Sequence, residues 1–200
     1  SKRANLALEK IIDSFSLEDA QEIKSIEETT NHDVKAVEYF LHKVFKNDTE
    51  LSELIPFIHF CCTSEDINNL AHGLMLHDAR EDILRTEIKA VISDLKSISS
   101  QYANIPMLSR THGQAATPTT LGKEIANFAF RVSQQYDRLG SIKILGKING
   151  AVGNYNAHLI SYPDVDWPDH CHKFVSQLGL NANPYTCLLY TSDAADDQAS

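Results

Sequence analysis

Six apolar residues, Leu84, Ile88, Val91, Leu95, Ile98 and Tyr102, step along the chain at intervals of 4-3-4-3-4. That spacing places all of them on one face of a helix about 28 Å long at 1.5 Å per residue. A second stripe, Leu121, Ile125, Phe128, Val132, Tyr136 and Leu139, repeats the pattern, and a shorter one runs through Val34, Val37, Leu41 and Val44. Alternation between threes and fours suits near-parallel packing at about 20°, as in helical bundles. No segment alternates with period two for long enough to make a strand. The expected class is all-α, with the stripes as core.

Local punctuation divides the helices. Ser16 with Asp19 predicts a capping box before a helix through Ala20, Ile23 and Ile26, and Thr63 with Asp66 repeats it before Ile67, Leu70 and Leu74. Pro106 is expected to end the long helix, because the residue before a proline avoids the α region. Pro118 is expected where the next helix begins. Between them lies a polar junction, Met107 to Gln114. Gly146, Gly150 and Gly153 predict an irregular loop after Leu145. A short helix is expected from about Asp166 to Leu178, closed by Gly179.

Only 8 Gly and 6 Pro occur among 200 residues, which permits long helices and disfavours a turn-rich β-sandwich. The net charge of -9 argues against nonspecific binding to nucleic acid or an anionic membrane, though a small anionic ligand can still find a locally basic site. No apolar run approaches the roughly 20 residues that cross a bilayer. The start, Ser1 to Asn5, has neither the apolar stretch of a secretory signal nor a methionine, so further residues are expected upstream. Of the four cysteines, Cys61 and Cys62 are adjacent while Cys171 and Cys187 are remote; reduced thiols in a cytoplasmic protein are expected.

Three polar clusters interrupt the helical pattern: Thr29 to Asp33, Thr63 to Asp66, and Ser109 to Gln114. Each is expected at a helix start or junction, where free N–H groups and the positive end of the dipole suit carboxylates and phosphates. His32 and His112 add imidazoles suited to proton transfer near neutral pH. Each cluster also has a plainer reading, as helix caps around Asn31, His32, Asp33, Thr63 and Ser64, and as a turn at His112. His72 and His77 are five apart, and the histidines of His170-Cys171-His172 point to different sides of a helix, so no metal site is expected. A phosphate-cradling glycine loop and a dinucleotide fingerprint are both missing.

These clusters resemble the fumarase/aspartase superfamily, and within it the adenylosuccinate lyases of bacterial type. The resemblance is carried by Thr29 to Leu41 (TTNHDVKAVEYFL), by Cys62 to Asn69 (CTSEDINN), by Ser109 to Gln114 with Ala116 to Thr120 (SRTHGQ, ATPTT), and by Lys147 to His158 (KINGAVGNYNAH). The four blocks come in family order, from the start to about Thr186. Thr-His-Gly with Thr-Ser-Glu-Asp favours the purine enzymes over other superfamily members, which carry Thr-His-Leu or Thr-Gln-Leu in the third block.

The resemblance implies β-elimination of fumarate from adenylosuccinate and from the succinylated carboxamide intermediate of purine synthesis. It makes His112 the general acid toward the departing nitrogen and His32 a second active-site histidine that orients substrate. Asn31, His32, Asp33, Thr63, Ser64 and Thr111 match substrate-binding positions. It implies no metal or organic cofactor, and a cytoplasmic homotetramer whose active sites draw on three subunits. The family's Arg-Tyr phosphate element and its Ser-Ser-x-Met-Pro-x-Lys-x-Asn loop, which carries the serine base, are not in these 200 residues. The chain alone is therefore expected to have negligible activity. Expected domains are an incomplete N-terminal helical domain (1–62), the incomplete start of a central helical bundle (63–186) and a non-native tail (187–200). Cys187 to Ser192 back-translate to DNA resembling a transposon end used in library adapters, which marks the tail as a fusion scar. Two rival readings are another superfamily lyase, acting for example on argininosuccinate or 3-carboxymuconate, and a noncatalytic helical scaffold.

Overall fold

A computed structural model describes residues 2–187. The expected non-native tail lies, apart from Cys187, outside the described residues. The elements in order are α1 (Lys2–Ser14), α2 (Leu17–Thr30), α3 (Asp33–Lys46), a 3₁₀ turn (Ser52–Phe57), α4 (Ser64–Asp78) and a π-helical turn (Ala79–Leu84). There follow α5 (Arg85–Gln101), β1 (Pro106–Thr111), β2 (Gln114–Thr120), α6 (Leu121–Ser141), β3 (Leu145–Gly146), α7 (Asn156–Ser161), α8 (Trp167–Gln177) and β4 (Asn181–Ala182). The fold is all-α, with short strands as trim. None of the described helices is long and apolar enough to cross a membrane. Contacts separate two compact units, one of Ser1–Ala71 with Leu145–Ser200, the other of His72–Ile144.

In the first unit the capping box forms as its residue types demand. Asp19 N–H donates to Ser16 Oγ at 3.2 Å and Ser16 N–H to Asp19 Oδ2 at 2.8 Å. α2 stops at Asn31, which takes the left-handed conformation (φ +50°) that asparagine tolerates. A core of Ala4, Phe45 and Leu51 gathers Leu8, Ile11, Leu41, Val44 and Leu54 around it. α3 buries Val34, Ala36, Phe40 and Phe45, whereas Val37, a member of the expected stripe, is exposed. Val34, Leu41 and Val44 of the stripe are covered, and the covered face extends to the small Ala36, beside which Val37 turns outward. A second core joins α4 to the C-terminal elements at Gly146. A Cβ there would come within 2.7 Å of Leu70 Cδ2 and 3.2 Å of both Val175 and Leu180, so only glycine lets these close in. α8 starts at Asp166, whose carboxylate accepts Asp169 N–H at 3.1 Å, and ends before Gly179 at φ +81°, as expected.

The second unit holds the end of α4, the π turn, α5, the β1–β2 hairpin and α6. Here the long stripes are only partly covered. Leu84 is 45% exposed, Val91 51% and Phe128 57%. What is buried instead is Ile92 on α5 and Gly122 and Ala129 on α6. Small residues let the helices approach closely: a Cβ on Gly122 would lie 2.2 Å from Ser99 O, and Ser99 Oγ donates to Gly122 O at 2.8 Å. The shared face thus joins these small residues to part of the bulky stripes, as where the Arg85 guanidinium stacks 4.2 Å from the centre of the Tyr136 ring.

The junction before α6 also differs. Residues 106–120 form an antiparallel ribbon, paired from Pro106↔Thr120 to Thr111↔Gln114, with an irregularity between Leu108 and Arg110. His112 (φ +51°) and Gly113 (φ +78°) make the turn, and positive φ at both central residues matches the sense of a tight hairpin. Pro118 lies within β2, not at a helix start, which a two-stranded ribbon tolerates because one side of each strand needs no ladder donor. α6 begins three residues later, capped by Thr120, whose Oγ1 accepts Lys123 N–H at 3.2 Å. α5 has already ended at Gln101, ahead of Pro106.

Candidate functional site

In the first unit, the turn from α2 into α3 presents Asn31, His32 and Asp33 to solvent. His32 is the N-cap of α3. Its Nδ1 accepts Lys35 N–H at 3.4 Å and lies 3.2 Å from Asp33 Oδ1. Nε2 faces away, 3.3 Å from Ser64 Oγ. Asp33 Oδ1 accepts Val34 N–H at 2.7 Å, and Oδ2 accepts the Asn68 amide at 2.9 Å. The bond from Val34 N–H, aided by Asn68 and His32 against the cost of partial burial, holds the Asp33 carboxyl below the ordinary carboxylate range. The first and second clusters are thus brought together, and the N-termini of α3 and α4 meet at His32–Ser64.

Thr63 and Asp66 form only half the expected capping box. Asp66 Oδ2 accepts Thr63 N–H at 2.9 Å, but Asp66 N–H bonds the Thr63 carbonyl at 3.0 Å in place of the hydroxyl. The Asp66 carboxylate, fully buried, also serves another segment. Oδ1 lies 2.8 Å from Lys147 Nζ and accepts Asn149 N–H at 3.2 Å, and Oδ2 accepts Gly150 N–H at 3.2 Å. Asn69 seconds this by accepting Lys147 N–H at 2.8 Å and donating to Lys147 O at 3.0 Å. Sequence spacing shows Asp66 only as a cap and gives Lys147 no role.

Thr111 and His112 belong to the second unit. They stand at the tip of the β1–β2 hairpin, exposed, in the junction between α5 and α6, with His112 in a turn. The tip is held from within by Arg110 Nη1, which donates to Gly113 O at 3.4 Å. Among the described residues no group of three His, Cys, Asp or Glu side chains is arranged to hold a metal ion.

A sequence profile for lyases matches residues 1–188. The chain belongs to this lyase family. Among curated proteins it is 55% identical over 186 residues to the adenylosuccinate lyase of Escherichia coli K12, covering 93% of this chain and 41% of that enzyme. The adenylosuccinate lyase of Haemophilus influenzae is 51% identical over 193 residues, or 96% of this chain and 42% of that one. The chain therefore spans about two-fifths of the length of these relatives. Among solved structures, the fumarate lyase of Mesorhizobium sp. BNC1 superposes with a TM-score of 0.70 at 19% identity, covering 94% of this chain and 41% of that one. The 3-carboxy-cis,cis-muconate lactonizing enzyme of Pseudomonas putida gives 0.66 at 21% identity, with 86% and 38% covered. At such identities these two structures speak for the fold alone.

Proposed function

We propose that this chain is part of an adenylosuccinate lyase of purine nucleotide biosynthesis. The observation that carries the reading is the joining of His32 and Asp33 to Ser64 and Asn68 at two helix N-termini, in a chain 55% identical to the Escherichia coli enzyme. In the proposed reaction a base removes a proton from the succinyl carbon beside one carboxylate. The electron pair forms the double bond of fumarate, the C–N bond breaks, and His112 delivers a proton to the departing nitrogen. Adenylosuccinate gives AMP, and the succinylaminoimidazole-carboxamide ribotide gives the free carboxamide. His32, held by Ser64 and the cap of α3, orients the substrate, while Asn31, Asp33, Thr63, Ser64 and Thr111 stand at substrate-binding positions, the uncharged donors among them suited to its carboxylates. No metal or organic cofactor enters this reaction.

The exposed Leu84, Val91, Ile98 and Phe128 along the two stripes support a homotetramer built through these helices, since apolar side chains are costly to leave in water. A cytoplasmic enzyme goes with this reading. The test is a chimera in which residues 1–186 replace the matching segment of the Escherichia coli relative. Fumarate release from adenylosuccinate and none from argininosuccinate is the expected result. His112→Ala should lower turnover by about 10²–10⁴-fold, the usual worth of a positioned proton donor. A folded chimera that releases no fumarate from adenylosuccinate sinks the proposal.

A further inference from the structure

We propose that Asp66, neutralised by Lys147, is the positioning residue for the His32–Ser64 edge of the site, a role whose meaning for substrate rests on the lyase reading above. The first turn of α4 is gripped from two sides. Ser64 and Asn68, four residues apart on one helix face, bond His32 at 3.3 Å and Asp33 at 2.9 Å. Asp66 lies about half a turn from both and bonds the 147–150 loop.

The carboxylate does more than a helix cap needs. Asp19 caps α2 with bonds to Ser16 alone. Asp66, fully buried, accepts four donors: Thr63 N–H, Asn149 N–H, Gly150 N–H and Lys147 Nζ. Four donors fill the acceptor capacity of an ionised carboxylate. Lys147 cannot drift from it, because Nζ also donates to Gly150 O at 2.7 Å and its backbone is held on both sides by Asn69. Fixing Thr63 N–H fixes where α4 begins, and with it the place of Ser64 Oγ against the imidazole. A cap needs no cation; a hydroxyl that must meet one ring nitrogen needs a helix start that does not move.

Two measurements on the chain as it stands decide the matter. Native-state amide exchange should find Thr63, Asn149 and Gly150 opening together, with rates of opening within about threefold. Thr63 exchanging about 100-fold faster than the two loop amides overturns the proposal. Long-range ¹H–¹⁵N spectra of the His32 ring should change in Lys147→Met and Asp66→Asn to resemble those of Ser64→Ala, and should stay as in the parent in Lys147→Arg. An unchanged His32 ring in a Lys147→Met chain of unaltered circular dichroism overturns it as well. If Lys147→Met does not fold, the exchange rates of the unaltered chain are decisive by themselves. Neither readout needs turnover, so an inactive chimera counts against the reaction assignment and leaves this one standing or falling on its own results.

Discussion

Asp66 Oδ1 lies 2.8 Å from Lys147 Nζ, with side-chain exposures of 0% and 7%. A pair so deeply buried returns its desolvation cost only while both charges are present. Lys147→Met should therefore destabilise the chain by about 3–5 kcal/mol, the usual penalty for an uncompensated buried charge. Adding Asp66→Asn removes that charge and should recover part of the loss. Urea denaturation of the two single variants and the double completes the cycle. Strict additivity would mean the two groups are not coupled.

His158 gives the chain a dependence on pH. It is buried, its Nδ1 has no hydrogen-bond partner, and its ring packs edge-on against Trp167 with centroids 4.8 Å apart. Burial pushes its pKa below 6.5, with the Asp66 charge opposing only in part. The unfolded chain thus takes up a proton near its ordinary pKa of about 6.5 while the folded chain still refuses it. The associated stability is present above that pH and is lost as pH falls toward the folded value. His158→Phe keeps an aromatic ring and removes the proton. Its unfolding free energy should fall less steeply than the parent's below about pH 6.5. Parallel slopes in denaturation at stepped pH would refute this.

At Gly122 the constraint is steric. A methyl group there would sit 2.2 Å from Ser99 O and 2.6 Å from Ala103 N, both backbone atoms that cannot swing away. Gly122→Ala should cost about 1–3 kcal/mol through overpacking, although alanine is the better helix former. Thermal unfolding reads the balance, and a variant more stable than the parent would mean that α5 and α6 stand farther apart.

How much of the molecule is legible in its sequence depends on the range of the interaction. Caps formed within three residues, Ser16 with Asp19 and Asp166 with Asp169, are readable because both partners lie in one turn. The hairpin is not, because a ribbon with both faces largely in solvent selects for no apolar alternation, and its strands show almost none. The site residues stand out as polar clusters, but nothing in spacing joins His32 to Ser64 across 32 positions. Asp66 is hidden further still. Two of its partners are backbone N–H groups more than 80 residues away, which every residue but proline carries. The α5 and α6 stripes are only partly covered, with Leu84, Val91, Ile98 and Phe128 left exposed, since period alone does not say which chain covers a face.

Thiol chemistry should follow burial. Desolvation, helped by the nearby Asp66 charge, pushes both Cys62 and Cys171 up to about 11. On the order of 0.1% of either is then thiolate at pH 8, and the thiolate is what reacts. Iodoacetamide at that pH should modify Cys61 well before Cys62 or Cys171, with the difference vanishing in urea. Peptide mass spectrometry gives the order, and early labelling of Cys62 would contradict its environment.

The hairpin tip separates shape from chemistry. Gly113 at φ +78° occupies backbone space that costs an L-residue about 1–2 kcal/mol, and more if the side chain is β-branched. Gly113→Val should loosen the turn and, in the chimera, lower fumarate release although His112 is still present. His112 at φ +51° is a different matter, because asparagine accepts that conformation readily. His112→Asn should keep the Thr111↔Gln114 pairing, visible as a cross-strand Overhauser contact, and lose turnover because an amide cannot shuttle a proton. If His112→Asn retained turnover while Gly113→Val lost it, the turn would matter for its shape alone, and the proton would have to come from some other group.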